Sequence, residues 1–356
     1  MRLVLLAESY LAVVLGKDVK GNVEYGPFKT DFSNWLKGKG NNFAFKSFET
    51  YGATGSFGGK DPNQKVVKTP VIFIHGNADS ALDTGALMSQ GWTAAIPHFL
   101  EAGYTFAELY GLTYGARNIS LAADTKMSCE WIKGHREFVL NVLDYTAAPK
   151  VNIIGHSMGA TIARSLAKGG LVEFPGEDHC DLGSPINDKI DVFIGVAGAH
   201  FGMCMCVTMP GKGSCDPTGG FWPGGTCGGE LHRQCAQAAE GECRDMQYGD
   251  FLRSINNSPV QKEAGYVFSF FSHDDNVLGP HTMTWGRMTS IIPHEDDHME
   301  YTKLDHFQMK EASAKAAIFA FENHKLPPKR QRGLQNTGLD LMDGHYEAAK
   351  PFVWPH

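Results

Sequence analysis

The stretch Gly155-His156-Ser157-Met158-Gly159 constrains this chain more than any other part of its sequence. An apolar run, Val151–Ile154, precedes it, and an alanine-rich run that favours a helix, residues 160–167, follows it. A serine between two glycines at such a boundary predicts a strand, a tight turn and a helix, the arrangement called a nucleophile elbow. Bulky side chains at positions 155 and 159 are expected to collide with the adjacent strand and helix. The pattern therefore places the Ser157 hydroxyl at the end of a strand, with the Met158 N–H beside it.

Strand and helix signals alternate along the rest of the chain. Apolar runs predict strands, and apolar residues at helical spacing predict helices between them. The expected strands are 66–74 (with Pro70 marking the true start), 104–110, Ile190–Val196 and Tyr266–Phe271, and the expected helices are 92–102, 126–147 and 308–322. This alternation predicts an α/β protein with a mostly parallel central sheet covered by helices on both faces. Together with the nucleophile elbow, it is typical of the α/β-hydrolase fold. Residues 17–65, rich in glycine, asparagine and lysine, are expected to form an irregular N-terminal wrap.

An elbow serine that transfers acyl groups needs a base and a carboxylate to orient that base. In this fold the chain order is serine, acid, histidine. The strand 266–271 leads to Asp274 and Asp275, and Asp275 is preferred because the apolar Val277 follows two positions later. His306 lies after these acids and just before the last predicted helix, so it is the predicted base. Its competitors are His281, His294 and His298.

The other predicted site residues come from two further segments. His75-Gly76-Asn77 ends the first core strand, where the Asn77 N–H is expected to join the Met158 N–H as an oxyanion hole. His75 in this turn, and Phe221 with Trp222 in a cysteine-rich segment, are predicted to contact substrate. The alternative for the two aromatic residues is that they only pack beneath a disulfide-linked loop.

Composition excludes several other classes of protein. The 356 residues are 42% hydrophobic and 20% charged, as in a globular protein with a sizeable core. A net charge of -7 without a basic block argues against nucleic-acid binding. No later segment reaches the roughly 20 apolar residues that a membrane span needs. The acidic cluster between His294 and His298 is interpreted as a solvated loop rather than a divalent-cation site, so no metal or cofactor is predicted.

The cysteines and the N-terminus bear on cellular location and domain organisation. Six of the eight cysteines crowd into residues 203–247: Cys204, Cys206, Cys215, Cys227, Cys235 and Cys243. Without Cys-x-x-Cys pairs they favour disulfides over zinc, with free thiols as the alternative, and the connectivity stays open. Residues 1–16 resemble a short signal peptide, although they also fit a first strand or helix of the domain. These signals predict a secreted protein with one catalytic domain (17–326), a disulfide-rich insertion or cap loop (203–247) and a C-terminal tail (327–356).

At the level of motifs the chain resembles the class 2 triacylglycerol lipases, particularly their nematode-type branch. The resemblance rests on Pro70–Ser80, Gly91-Trp92-Thr93, residues 104–115, the elbow and Gly55–Lys60, and it covers roughly residues 25–325. The strand followed by His-Gly-Asn is considerably more specific than the serine pentapeptide.

The chain is also similar to secreted lipase-like poly(3-hydroxybutyrate) depolymerases. The shared features are the His-Gly-Asn start, the His-Ser-Met-Gly elbow, Arg244-Asp245-Met246, the Asp-x-Val loop and the pair His306-Phe307. The two resemblances imply a secreted, cofactor-free ester hydrolase acting on lipid or polyester at an interface, and they support Asp275 and His306. Lipase or carboxylesterase activity is the first hypothesis, polyester depolymerase the second and a non-catalytic hydrolase-fold binding protein the third; oligomeric state stays open.

Overall fold

The computed structural model describes residues 25–172, 174, 180–224, 227, 247–279 and 282–328. Several features of the sequence lie outside these residues. They are the resemblance to a signal peptide in residues 1–16, nearly all of the tail, the Arg244-Asp245-Met246 element, Cys235, Cys243 and His281.

A seven-stranded sheet forms the centre of the fold. Its strands, in their order across the sheet, are β1 (Ser56–Phe57), β3 (Leu109–Leu112), β2 (Val71–Ile74), β4 (Val151–His156), β7 (Ile190–Val196), β8 (Tyr266–Ser272) and β11 (Asp297–Tyr301). Strand β1 is antiparallel to β3, and every other neighbouring pair is parallel. The prediction of a mostly parallel sheet is therefore confirmed. Two small antiparallel pairs lie outside it, β5 (Leu171–Val172) with β6 (Cys180–Asp181) and β9 (Met283–Thr284) with β10 (Arg287–Met288).

Helices cover both faces of this sheet. They are α1 (Thr30–Lys39), α2 (Asn42–Tyr51), α3 (Ile96–Glu101), α4 (Cys129–Thr146), α5 (Met158–Lys168), α6 (Asp250–Asn256), α7 (Met309–Ala312) and α8 (Ala314–Asn323). Helix α4 packs against α1, α2 and α5, whereas α3 packs against α8. Every residue of β2 and β4 is buried, as expected for parallel strands covered on both faces.

The long helix α4 shows how local chemistry sets the bounds of an element. Ser128 precedes it with an extended backbone, and its Oγ accepts a hydrogen bond from Trp131 N at 3.3 Å, an N-cap. Ala147 ends the helix in the left-handed conformation, with φ of 54°. Phe138 and Val142, one turn apart, are buried on its inner face.

Two segments are more regular than predicted. The N-terminal wrap contains α1, α2 and β1, because Phe32 and Leu36 lie one turn apart and bury one face of α1. The glycines and lysines around Phe32 and Leu36 make the apolar spacing of this helix hard to recognise in the sequence. The expected acidic loop contains β11, which pairs with β8, and His298 in it contacts Glu295 and Glu300.

Disulfides hold the cysteine-rich segment, as predicted. Within it Cys204 is bonded to Cys227 and Cys206 to Cys215, and a third bond joins Cys129 at the start of α4 to Cys180 in β6. Residues 203–224 lie against the 3₁₀ turn Ile119–Asp124, where Ser214 Oγ donates to Ala123 O at 2.9 Å. Across the described ranges, none of the helices combines the length and apolar character needed to cross a membrane.

Candidate active site

Ser157 occupies the turn between β4 and α5. Its backbone lies at φ 54° and ψ -125°, a conformation that costs a non-glycine residue about 1–3 kcal/mol. The Ser157 N–H donates to Val196 O at the end of β7, at 2.8 Å. The strained turn is thus fixed to the neighbouring strand, and the prediction of a strand, a tight turn and a helix is confirmed.

The two glycines of the elbow are required by close packing. A Cβ on Gly159 would lie 2.3 Å from the His75 carbonyl oxygen, and one on Gly155 would lie 2.7 Å from Ala160 Cα. These neighbours are backbone atoms, which cannot move aside as a flexible side chain does. The steric role predicted for positions 155 and 159 is confirmed.

His306 and Asp275 form a buried pair. His306 Nδ1 donates to Asp275 Oδ2 at 2.7 Å, and Asp275 Oδ1 accepts hydrogen bonds from Val277 N and Leu278 N, each at 2.9 Å. Asp274 is exposed instead, and its carboxylate accepts from Lys303 N at 2.6 Å. Of the two adjacent acids, the structure therefore brings Asp275 to the histidine.

A cavity of about 40 Å³ brings most of the predicted residues together. Its lining includes Ser157, His306, Asn77, Met158 and Phe221. The cysteine-rich segment forms one side of this cavity through Met203, Ser214 and Phe221. We call this space the catalytic cavity below.

The positions of Asn77 and Met158 suit two converging N–H donors. Met158 is the first residue of α5, so its N–H has no acceptor within the helix. Asn77 is held by its side chain, whose Nδ2 donates to Ala122 O at 2.8 Å. The next residue, Ala78, has a φ of 59°, which turns the chain sharply after Asn77.

His75 does not contact the catalytic cavity, contrary to its predicted role. It is fully buried, its Nδ1 bonds to Gly76 O at 2.7 Å, and its Nε2 accepts from Tyr114 N at 3.1 Å. Burial lowers the pKa of His75 to about 4, so the ring is neutral at pH 7 with its proton on Nδ1. We interpret His75 as the residue that holds the turn before Asn77.

Trp222 also lies outside the lining of the catalytic cavity, unlike Phe221. Its carbonyl accepts a hydrogen bond from Gly249 N at 2.9 Å, and its side chain is half-buried. Only Phe221 of this aromatic pair is therefore placed to contact a ligand at Ser157.

His156, which the sequence did not single out, links the serine turn to the histidine loop. Its Nε2 donates to the His306 carbonyl oxygen at 2.9 Å, and the two rings lie 4.7 Å apart. Burial is the main cause that holds the pKa of His156 well below its usual value. The neutral ring therefore connects the end of β4 to the backbone of His306.

A buried ion pair behind the cavity was also not predicted. Lys310 Nζ in α7 lies 2.5 Å from Asp79 Oδ2, both side chains are almost fully buried, and Asp79 Oδ1 accepts from Gly91 N at 2.9 Å. This pair joins the turn after Asn77 to the helix after His306. The run 308–322 contains both Lys310, which is buried, and Lys315, which is exposed, so the sequence alone does not indicate which lysine is paired.

Four buried histidines predict a loss of stability in mild acid. Burial is the main cause that lowers the pKa of His75 to about 4, of His135 to about 3, and of His156 and His200 well below the usual value. The unfolded chain binds these protons near pH 6.5, so stability is fully present above that pH and falls as the pH drops toward 4. His298, whose pKa is raised by its bond to Glu295, acts in the opposite direction.

This prediction is measured by urea denaturation at several pH values between 7.5 and 4.5, with the disulfides intact. Each histidine that stays neutral in the folded state contributes a slope of about 1.4 kcal/mol per pH unit. His135→Gln removes one such group away from Ser157, so the slope should fall by about that amount. An unchanged slope in this variant would contradict the assignment.

The sheet order and the elbow serine define an α/β-hydrolase. Residues 68–318, more than two thirds of the chain, match the model of the family Lipase (class 2). The chain belongs to the class 2 lipase family, and it is accordingly a hydrolase of the lipase and esterase type, which acts on esters. There is no match among curated protein sequences.

Solved structures of lipases resemble the fold at low identity. Lipase B of Aspergillus fumigatus is 14% identical over 76% of this chain, with a TM-score of 0.43, and this chain spans 56% of its length. The mature lipase BlEst2 of Bacillus licheniformis is 14% identical over 74% of this chain and 96% of its own, with a TM-score of 0.42. The monoacylglycerol lipase of Paleococcus ferrophilus is 13% identical over 72% of this chain and 97% of its own, with a TM-score of 0.40.

Proposed function

We propose that this protein hydrolyses carboxylic esters through an acyl-enzyme on Ser157. The observation that carries the proposal is the buried His306–Asp275 hydrogen bond of 2.7 Å beside the cavity that also holds Ser157. With its Nδ1 proton donated to Asp275, neutral His306 has a free lone pair on Nε2. That lone pair is the base that a serine nucleophile needs.

The reaction has two halves. His306 Nε2 takes the Ser157 proton while Oγ attacks the ester carbonyl carbon, and the carbonyl oxygen becomes an oxyanion that accepts from Asn77 N–H and Met158 N–H. His306 then gives its proton to the leaving alkoxide, and the alcohol departs. Water, deprotonated by His306, attacks the acyl-enzyme, and the acid product leaves as Ser157 regains its proton. Asp275 keeps His306 in the required tautomer and stabilises the imidazolium that forms.

We further propose that the substrates are lipid esters and that the protein is extracellular. Membership of the class 2 lipase family supports the first part. The three disulfides among the described residues support the second, because such bonds persist in oxidising compartments. The apolar side chains of Met203, Phe221 and Val277 in the catalytic cavity suit a neutral acyl group.

The test compares three substrates: a short p-nitrophenyl ester, a long-chain triglyceride emulsion and a poly(3-hydroxybutyrate) film. The protein is recovered from culture medium after expression of the 356-residue chain, and enzyme inactivated with a fluorophosphonate is the blank. We expect turnover of the short ester and release of fatty acid from the emulsion. Clearing of the film with little fatty-acid release would replace lipid by polyester, and absence of turnover on all three would contradict ester hydrolysis. Recovery only from inside the cells would contradict the extracellular location.

A further inference from the structure

A second cavity, of about 300 Å³, lies next to the catalytic cavity. It is lined by the loop that carries Leu87, Met88 and Ala94 and by the segment that carries Asp305, Gln308 and Glu311. Phe307 lines both cavities. In the buried ion pair, Asp79 lines the catalytic cavity and Lys310 lines the second one. Phe307 and the Asp79–Lys310 ion pair thus lie where the two cavities meet, and we call them the partition below.

The catalytic cavity is too small to hold more than the reacting part of an ester. Its volume of about 40 Å³ corresponds to about three water-sized positions, whereas small-molecule sites typically measure about 300–1,000 Å³. The second cavity, at about 300 Å³, reaches that range. An ester with a long chain therefore needs space beyond the catalytic cavity, and among the described residues the second cavity adjoins it at Phe307.

Phe307 is the part of the partition that can move. Its backbone is held, because Phe307 N and Gln308 N both donate to Asp305 Oδ1, at 2.9 and 2.8 Å. Its side chain is only half-buried and contacts the rings of His306 and His156 at centroid distances of 5.4 and 6.4 Å. With the backbone held and the side chain only half-buried, a change of rotamer is the motion open to Phe307.

The ion pair is the part of the partition that stays in place. Lys310 and Asp79 are buried at 2.5 Å, and Gly91 N holds the second oxygen of Asp79. Separating such a pair leaves two uncompensated buried charges, which is strongly unfavourable. The carboxylates of Asp305 and Glu311 disfavour a charged carboxylate in the second cavity. Its surface for a hydrocarbon chain comes from the apolar residues of its lining, Leu87, Met88, Ala94, Ala95 and Phe307.

We propose that the second cavity binds the neutral hydrocarbon chain of the ester substrate, and that Phe307 admits this chain and sets the preferred chain length. The proposal rests on ester hydrolysis at Ser157, the proposed function. The chain is either the acyl chain or the alkyl chain of the alcohol, because both leave the ester group uncharged.

The test fills the second cavity from its exposed side. Ala94 is exposed and lines this cavity, whereas Ala86, which is also exposed and lies on the same loop, is not part of the lining. Ala94→Trp and Ala86→Trp therefore add the same ring inside and outside the cavity. kcat/KM is measured for p-nitrophenyl acetate and octanoate, which vary the acyl chain, and for ethyl and octyl acetate, which vary the alkyl chain.

We expect Ala94→Trp to lower one ratio of kcat/KM values, either octanoate to acetate or octyl acetate to ethyl acetate, about tenfold relative to Ala86→Trp. A tenfold loss corresponds to withdrawing about two methylene groups from apolar contact. If the p-nitrophenyl ester ratio changes, the second cavity binds the acyl chain, and if the alkyl acetate ratio changes, it binds the alkyl chain of the alcohol. Phe307→Ala should raise the same ratio, and adding Ala94→Trp to it should remove the gain.

Equal ratios in the two tryptophan variants would overturn the proposal whatever Phe307→Ala does, because Phe307 lines both cavities and Ala94 only the second. If Ala94→Trp does not fold, Ala94→Leu and Ala86→Leu take the place of the tryptophan pair. Failure of the proposed function is separate, because wild-type protein would then hydrolyse none of these esters, including the acetates.

Discussion

Replacing Asp275 by asparagine is expected to lower kcat for ester hydrolysis by about 10⁴-fold, the typical loss when the carboxylate beside a catalytic histidine becomes an amide. In the wild type, Asp275 Oδ2 accepts the His306 Nδ1 proton at 2.7 Å. An amide NH₂ in that position would instead favour the tautomer with its proton on Nε2. His306 would then hold its lone pair away from Ser157, and the carboxylate charge that stabilises the imidazolium would be missing.

The adjacent acid provides a matched control. Asp274 is exposed and accepts only from Lys303 N among the hydrogen bonds described for its side chain, so Asp274→Asn should change kcat by less than about twofold. Both variants are compared by kcat on a short p-nitrophenyl ester, with circular dichroism to confirm folding. An equal or larger loss in Asp274→Asn would show that the acid has been assigned to the wrong residue.

Much of the sheet and of the elbow could be predicted because the signals are local. Asp191 is the only charged residue in the run Ile190–Val196, and strand β7 begins and ends at the same residues as this run. Pro70 cannot donate to a neighbouring strand, and β2 begins at the next residue, Val71. A strand that is buried on both faces thus leaves a clear pattern in the sequence.

The loop after β8, which carries Asp274 and Asp275, is a part of the site that local sequence signals do not determine. Chain order and strand position leave two candidates for the catalytic acid, Asp274 and Asp275. Which of them faces His306 depends on the turn after β8. That turn is held by Val277 N and Leu278 N, which both donate to Asp275 Oδ1. Likewise, Phe221 and Trp222 lie in an irregular segment without periodicity, so the sequence could not tell which one lines the cavity.

The unpredicted contacts join parts of the chain that are far apart in sequence. Asp79 and Lys310 are 231 residues apart, and His156 and His306 are 150 residues apart. A buried lysine or a neutral histidine is recognisable only through its partner, since neither residue type favours a dry environment alone. The second cavity arises in the same way, from two loops that come together only in the folded protein.

Ser157→Ala is the second variant with a very large expected effect. The Ser157 hydroxyl is the only group of the protein that becomes bonded to the acyl carbon in the proposed reaction, so without it the acyl-enzyme cannot form. Hydrolysis should fall by at least about 10⁴-fold, leaving the remainder that the oxyanion donors and substrate binding supply to attack by water. Because alanine is smaller than serine and fits the same turn, the fold should be retained.

The most direct measurement is the intact mass of the protein after reaction with a fluorophosphonate, followed by peptide mapping and by kcat for the same samples. The wild type should gain one phosphonyl group, located on Ser157, and lose its activity in proportion, whereas Ser157→Ala should gain none. A phosphonyl group on another residue, or a Ser157→Ala variant that keeps its hydrolytic rate within about tenfold of the wild type, would contradict the assignment of Ser157 as the nucleophile.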